Sequence, residues 1–407
     1  MTSIRLRETV PLLGRLLPFY GVLFLFGTET FVISPILPQI SGDLGSTVPA
    51  TAVAAASYVI VYASLAPFLA YFSDSVSRSA TLIGGLATFV LGNALAAHSQ
   101  GIESFVAARA ANGLGAALAG PAVWASIVTL APPEARSRLI GLGMAVFSLG
   151  QVAGVPAGGL LTSGFGWRAV FVVIAFATAL AAVAIGWVSR RGASAEPPPA
   201  ASGFHVFSLW RDERASRVLL LSVSFHAANL GAYAYAGAIL ASRYGLAVDQ
   251  IGAVGIAVGS GSIAGALLAG RLSDRARQSH GSAAGRLPLW CGLLALSLLA
   301  TGLAPTLPLA LVAIGLWFVA SGAYVTDSQA IVTSVSDRSR SLASAWNTTA
   351  MHAGTAIGVF VLGHVLRAGI AVFVAAALLA TGALMFSLTL LASRRRRTAA
   401  DPEAHRL

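Results

Sequence analysis

Twelve long apolar runs, separated by short arginine-bearing breaks, constrain this chain more than anything else in it. The hydrocarbon core of a bilayer is about 30 Å thick and takes about 20 apolar residues of helix to cross. Lipid offers a backbone no hydrogen bonds, so each run must satisfy its own amides as a helix. The runs lie at about 16–40, 49–72, 80–97, 103–131, 139–162, 169–188, 216–241, 250–270, 287–304, 307–332, 342–366 and 369–393. Charged residues make up only 10 % of the chain, against about 25 % in a soluble domain. The expectation is an all-α integral membrane protein with twelve transmembrane helices.

Arginine sets the orientation. All 26 basic residues are arginine. With the N-terminus inside, 22 of them fall in inside loops and tails, three (Arg168, Arg243, Arg367) fall outside, and Arg109 lies within a run. Positive charge kept on the cytosolic side is the expected bias. It predicts a multi-pass protein of the inner (cytoplasmic) membrane with both termini cytosolic. A net charge of +11 distributed this way argues for membrane anchoring and against nucleic acid. The N-terminal stretch has the basic start of a signal peptide, but its apolar run is too long, and no small-x-small cleavage site follows. It reads as a retained first helix. Cys291 is the one cysteine, so no internal disulfide is expected. The chain has no lysine, hence no Walker-type phosphate loop. Neither an enzyme constellation nor a cofactor or metal site is expected.

The chain also echoes itself. Asp74 and Asp274 lie 200 residues apart, each after an apolar run and before an arginine-bearing stretch. The same offset pairs Gly45 with Gly245, Arg138 with Arg338, Gly154 with Gly354 and Gly158 with Gly358. Two similar halves in a membrane protein are the architecture of a transporter, with the site between them. The expected division is 1–188, a cytosolic linker 189–215, and 216–407 with a short basic tail. Phe204, Phe207 and Trp210 in the linker either rest at the membrane interface or belong to a simple loop.

Four motifs carry a family resemblance. Gly270-Arg-Leu-Ser-Asp274-Arg275 follows the eighth run, and an eroded copy with Asp74 and Arg78 follows the second. Arg109-Ala-Ala-Asn112-Gly113-Leu-Gly115 lies in the fourth. Gly150, Gly154, Pro156, Gly158 and Gly159 lie in the fifth, followed by Gly166-Trp167-Arg168. Together they resemble the major facilitator superfamily, and the fifth-run motif resembles its antiporter motif in the drug and sugar efflux branch. The resemblance implies two six-helix bundles and alternating access. It further implies inside gating by Asp74, Arg78, Gly270, Asp274 and Arg275. The physical basis is that glycine lets helices approach closely and that aspartate caps a helix or pairs with arginine.

Ionisable groups inside a membrane are costly, at about 2.5–3.5 kcal/mol each on insertion scales, so each one is a candidate site. Glu29 lies near the middle of the first run. Arg109 lies about six residues, roughly 9 Å, inside the fourth. It either snorkels to the surface or pairs with an acid, and Glu29 is its most plausible partner. Asp327 and His352 complete the proton-coupling candidates. Tyr58, His226, Asn229 and Tyr233 are candidates for a substrate cavity, and for each the alternative is an ordinary helix–helix contact.

These readings converge on a secondary transporter that exports a small molecule, such as a drug-like compound or sugar, in exchange for protons. The expected partners are substrate, protons and the bilayer, and the expected state is a monomer. An uptake symporter of the same fold is the first alternative. A transporter-like membrane sensor is the second.

Overall fold

The computed structural model of the chain describes residues 2–73, 78–132, 136–191, 207–278, 283–333, 340–365 and 369–400. Helix dominates, and no strand occurs among the described residues. The helices are α1 (Thr2–Phe31), α2 (Ile33–Asp43), α3 (Val48–Ser73), α4 (Arg78–Ala97), α5 (Ile102–Leu130), α6 (Arg136–Phe165), α7 (Trp167–Arg191), α8 (Glu213–Tyr244), α9 (Val248–Gln278), α10 (Leu287–Leu303), α11 (Leu307–Thr333), α12 (Arg340–Gly363) and α13 (Ala371–Ala400). Short 3-10 turns at Ser208–Arg211 and Ala283–Arg286 precede α8 and α10.

Among the described residues nine helices are long and apolar enough to cross a membrane, or ten if the bent pair α1–α2 counts as one. The remaining two, α5 and α12, carry polar residues within the bundle, including Arg109 and Asn112 on one and Asn347, Thr349 and His352 on the other. The first run is not one straight helix. It bends by 59° at Val32. Pro35 has no N–H to return to the Phe31 carbonyl, and Pro38 repeats the defect one turn later.

The chain forms two compact units, Met1–Val206 with Ala234–Gly259, and Phe207–Tyr233 with Ser260–Leu407. In the first unit α1 packs along α6, while α4 and α3 both pack along α5. The α1–α6 contact is a row of glycines. Gly150 lies on Phe24, Gly154 on Thr28, and Gly158 on Val32, at the bend itself. A Cβ at Gly154 would stand 2.8 Å from the Thr28 Cα, so the backbones meet with no side chain between them. The opposite face of α6 is also occupied, since Gly255 of α9 packs on Val155 and Pro156, and Gly259 on Val152. Gly237 of α8 packs on the backbone of Ser34 and Pro35 in α2.

The second unit repeats the scheme. Gly354 of α12 packs on Val223 of α8, and Gly358 on Ala227 and Gly231. Gly261 and Gly265 of α9 pack on Gly315 and Val319 of α11. The end of the linker joins this unit, with the Phe207 and Trp210 rings 5.5 and 5.3 Å from that of Trp346. Phe204 lies outside the described residues.

Candidate functional site

Glu29 of α1 and Arg109 of α5 form a buried ion pair, Arg109 Nη1 donating to Glu29 Oε1. Arg109 is only 2 % exposed, so it does not snorkel to the surface. Its guanidinium lies 4.9 Å from the Tyr58 ring centre and 5.9 Å from that of Phe171. A cation so enclosed needs an acid beside it, and aromatic faces add to the attraction. The local geometry follows from sequence. Gly113, one turn on from Arg109, packs on the Tyr58 backbone and brings α3 close to α5. Thr28 Oγ1 donates to the Gly150 carbonyl at 3.2 Å, fixing α1 against α6 immediately before Glu29. Glu29 Oε2 and Arg109 Nε have no hydrogen-bond partner among the described residues. Asn112, one turn after Arg109, is wholly buried with both amide atoms equally unpartnered.

The antiporter-motif residues stand beside this pair. Gly150, Gly154 and Gly158 form the α1 contact, Pro156 faces α9, and Gly159 is buried. Gly166-Trp167-Arg168 has a role that the sequence does not disclose. Trp167 Nε1 and Arg168 Nη1 both donate to Asp43 Oδ2, at 2.9 and 2.7 Å, and Arg168 Nη2 donates to the Ser99 carbonyl at 3.0 Å. The end of the bent first segment is thereby tied to the start of α7. The available signal is charge at equal depth, because Asp43 and Arg168 both sit just beyond an apolar run.

Asp327 is found in different company from Glu29. Its carboxylate takes Arg286 Nε at 2.9 Å and Nη2 at 2.6 Å, and Trp290 Nε1 at 2.8 Å. Three donors satisfy a wholly buried carboxylate, an arrangement suited to anchoring α11 against the start of α10. Sequence reasoning misses Arg286, although it opens one apolar run at the same membrane depth at which Asp327 closes another.

His226, Asn229 and Tyr233 lie along α8 in the second unit, and Tyr58 lies in the first. Asn229 is a hub. It accepts from Trp317 Nε1 at 2.7 Å, and its Nδ2 reaches Ser321 Oγ at 2.7 Å and His226 Nδ1 at 3.4 Å. Because an indole N–H only donates, the amide orientation is fixed, and Nδ2 must face the histidine. Tyr233 meets Phe318 edge-on at 5.4 Å. Next to this hub Phe225 and Tyr324 stack at 3.8 Å, and Ser222 bonds with Tyr324 and Asn347. His352 is buried on α12.

Of the gating candidates, Asp74 lies outside the described residues. Arg78 opens α4, Gly270 lies within α9 with open space around it, and Asp274 and Arg275 fall in the last two turns of α9. No group of three or more potential metal ligands occurs among the described residues.

Residues 19–319 match the family model described as Major Facilitator Superfamily. The chain is 26 % identical over 352 residues to the uncharacterised MFS-type transporter YceJ of Bacillus subtilis (strain 168), covering 86 % of this chain and 89 % of that one. It is 27 % identical over 347 residues to a chloramphenicol resistance protein of Streptomyces lividans, covering 83 % and 86 %. Among solved structures, an inward-facing, occupied bacterial homologue of the human lysosomal transporter Spinster matches with a TM-score of 0.71 at 17 % identity, covering 95 % of this chain and 97 % of that one. That last likeness is one of fold.

Proposed function

This chain belongs to the Major Facilitator Superfamily, and on that premise we propose that it exports a small molecule from the cytosol in exchange for protons. It is a multi-pass membrane transporter of helical fold. The observation that carries the antiport reading is the buried Glu29–Arg109 pair. Proton uptake by Glu29 cancels the carboxylate and leaves the Arg109 charge without its counterion, held only by the Tyr58 and Phe171 rings. Breaking such a pair costs about 3–5 kcal/mol when one partner is removed. Protonation therefore shifts the balance between two arrangements of the surrounding helices, which is what couples a proton to a conformational cycle. Glu29 sits three residues before the bend at Val32, and Gly154 and Gly158 press on that same stretch, so a change at Glu29 is felt at the bend.

In this reading the N-terminus is cytosolic, the membrane is the inner membrane, and the protein works as a monomer. Asp74 and Arg78 in one half, and Gly270, Asp274 and Arg275 in the other, gate the cytosolic side. The Asn229 hub with His226 and Tyr233, and Tyr58 in the first unit, bear on substrate, while His352 stays with the proton-coupling groups. Asp327, fully satisfied by Arg286 and Trp290, anchors helices instead of carrying protons. The resemblance to a chloramphenicol resistance protein supports an uncharged, drug-like substrate and makes chloramphenicol the first probe.

The test is transport in proteoliposomes under an imposed pH gradient, with labelled chloramphenicol. Glu29→Gln is expected to abolish gradient-driven transport while the protein remains folded in the membrane. Undiminished gradient-driven transport by that variant would refute Glu29 as the coupling site.

A further inference from the structure

Among the described residues Asn112, one turn from Arg109, is the one amide side chain whose donor and acceptor are both buried and both unpartnered. Its amide rests on Gly92 of α4, where a Cβ would come 2.9 Å from its Cγ. Leaving a buried polar group unmet costs about 1–3 kcal/mol. Buried groups of this kind are usually met by an ordered water with two to four polar partners.

The neighbouring helices place matching atoms around it. Gly115 of α5 packs on Phe89 of α4, and Phe89 meets Phe26 of α1 edge-on at 5.0 Å, one turn before Glu29. Helices α1, α4 and α5 thus converge on one level. The unpartnered atoms there are two acceptors, Glu29 Oε2 and Asn112 Oδ1, and two donors, Arg109 Nε and Asn112 Nδ2. Donors and acceptors side by side, on groups whose charges cancel, are the complement of water. The titratable groups shown near this cluster are Arg109 on α5 and Tyr58 on α3, with Tyr62 6.4 Å beyond Tyr58. The residues shown against it from α4, α6 and α7 are Phe89, Gly92, Gly150 and Phe171, none of them ionisable.

We propose that Asn112 holds a buried water beside the Glu29–Arg109 pair, and that this water makes the first transfer of a proton leaving Glu29. The relay, though not the water site, rests on the coupling role given to Glu29 above. A proton leaves Glu29 Oε2 for the water, and the water releases one of its own to a solvent water beyond Asn112. The water stays neutral, and the carboxylate left behind is met by Arg109. Asn112 is a positioning residue in this scheme, fixing the water by one donated and one accepted bond.

Infrared difference spectra of the membrane-reconstituted protein between acid and alkaline pH test this directly. The wild type should show a carboxyl C=O band that Glu29→Gln removes, and a water O–H band that shifts in H2 18O. Asn112→Leu, of the same branched shape though larger and without polar atoms, should lose the water band and keep the carboxyl band. Its gradient-driven chloramphenicol transport should fall by about a hundredfold, the usual size of a positioned proton-transfer step. Asn112→Ser, which keeps a small donor and acceptor, should restore both water band and transport, and it serves as the reference if the leucine variant folds poorly. A water band unchanged in Asn112→Leu, or transport in that variant at the wild-type rate, overturns the proposal. A wild type without the Glu29 carboxyl band overturns the coupling reading and the relay with it. The water site then stands or falls on the isotope-sensitive band alone.

Discussion

Arg286 holds Asp327 through two parallel hydrogen bonds, Nε to Oδ2 at 2.9 Å and Nη2 to Oδ1 at 2.6 Å. The carboxylate is wholly buried, and the guanidinium side chain is 15 % exposed. Asp327→Asn keeps the shape but leaves the arginine charge partly buried without a counterion. The expected loss is toward the lower end of about 3–5 kcal/mol, because Arg286 retains some solvent. Thermal unfolding in detergent should show a clear drop for Asp327→Asn. It should recover part of it in Arg286→Met combined with Asp327→Leu, since removing both charges leaves no charge unpaired and only the Trp290 indole N–H without its acceptor. Failure of the double variant to recover would assign the site a role other than anchoring.

The glycine row on α6 makes a prediction with its own control. Gly154→Ala puts a methyl against the Thr28 Cα, where only backbone can yield. Overpacking of this kind costs about 1–3 kcal/mol, and here it acts next to Glu29. Gly164, on the same helix, has nothing within 4 Å of where its Cβ would stand. Gly164→Ala should therefore be neutral or stabilising by about 0.5–1 kcal/mol, since alanine favours helix over glycine. The melting temperature should fall for Gly154→Ala and hold or rise for Gly164→Ala, and only Gly154→Ala should slow transport.

Most of the helices and the central ion pair are legible in the sequence. Apolar runs declare their helices because lipid leaves a backbone no other choice, and Glu29 has to find Arg109 because few charges share that depth. The bend at Val32 is written in Pro35 and Pro38 but is invisible to hydropathy, along which the run is continuous. The 200-residue echo holds at the first loop of each half, where Gly45 and Gly245 both end a helix with positive φ, 59° and 66°. It slips further on. By packing, Gly354 on Val223 corresponds to Gly150 on Phe24, so the glycines stand 204 residues apart and their partners 199. An offset of 200 would pair Glu29 with Asn229, whereas the packing offset of 199 pairs it with Ala228. Equal spacing along a chain cannot register extra residues in a loop, whereas helix contacts can. The role of Arg286 is hidden for a related reason, as its partner lies on a helix that sequence alone does not place beside it.

The Asp43–Arg168 pair has good geometry and a second tie from Trp167, yet its side chains are 54 % and 40 % exposed. Water and salt screen such a pair, and exposed pairs contribute about 0–1 kcal/mol. Asp43→Asn is expected to change stability by no more than that, and the difference should vanish in high salt. Thermal unfolding at low and high ionic strength checks this. A large, salt-independent loss would mean that the tie between α2 and α7 matters through the indole bond, and Trp167→Phe should then reproduce it.

The Asn229 hub should behave as a unit. Trp317→Phe removes the only donor shown on Asn229 Oδ1 and leaves that oxygen wholly buried. An orphaned acceptor costs about 1–3 kcal/mol, beyond the lost ring contacts. The amide can regain a donor only by turning over, which brings its oxygen to Ser321 and His226 and takes Nδ2 from both. Substituting Asn229 by Leu removes the orphan, so the two changes should not add. A double-mutant cycle on unfolding free energy is expected to give an interaction of about 0.5–3 kcal/mol, with the double variant losing less than the sum of the singles. Strict additivity would show that Trp317 and Asn229 do not depend on each other, and the fixed orientation of the amide toward His226 would lose its cause.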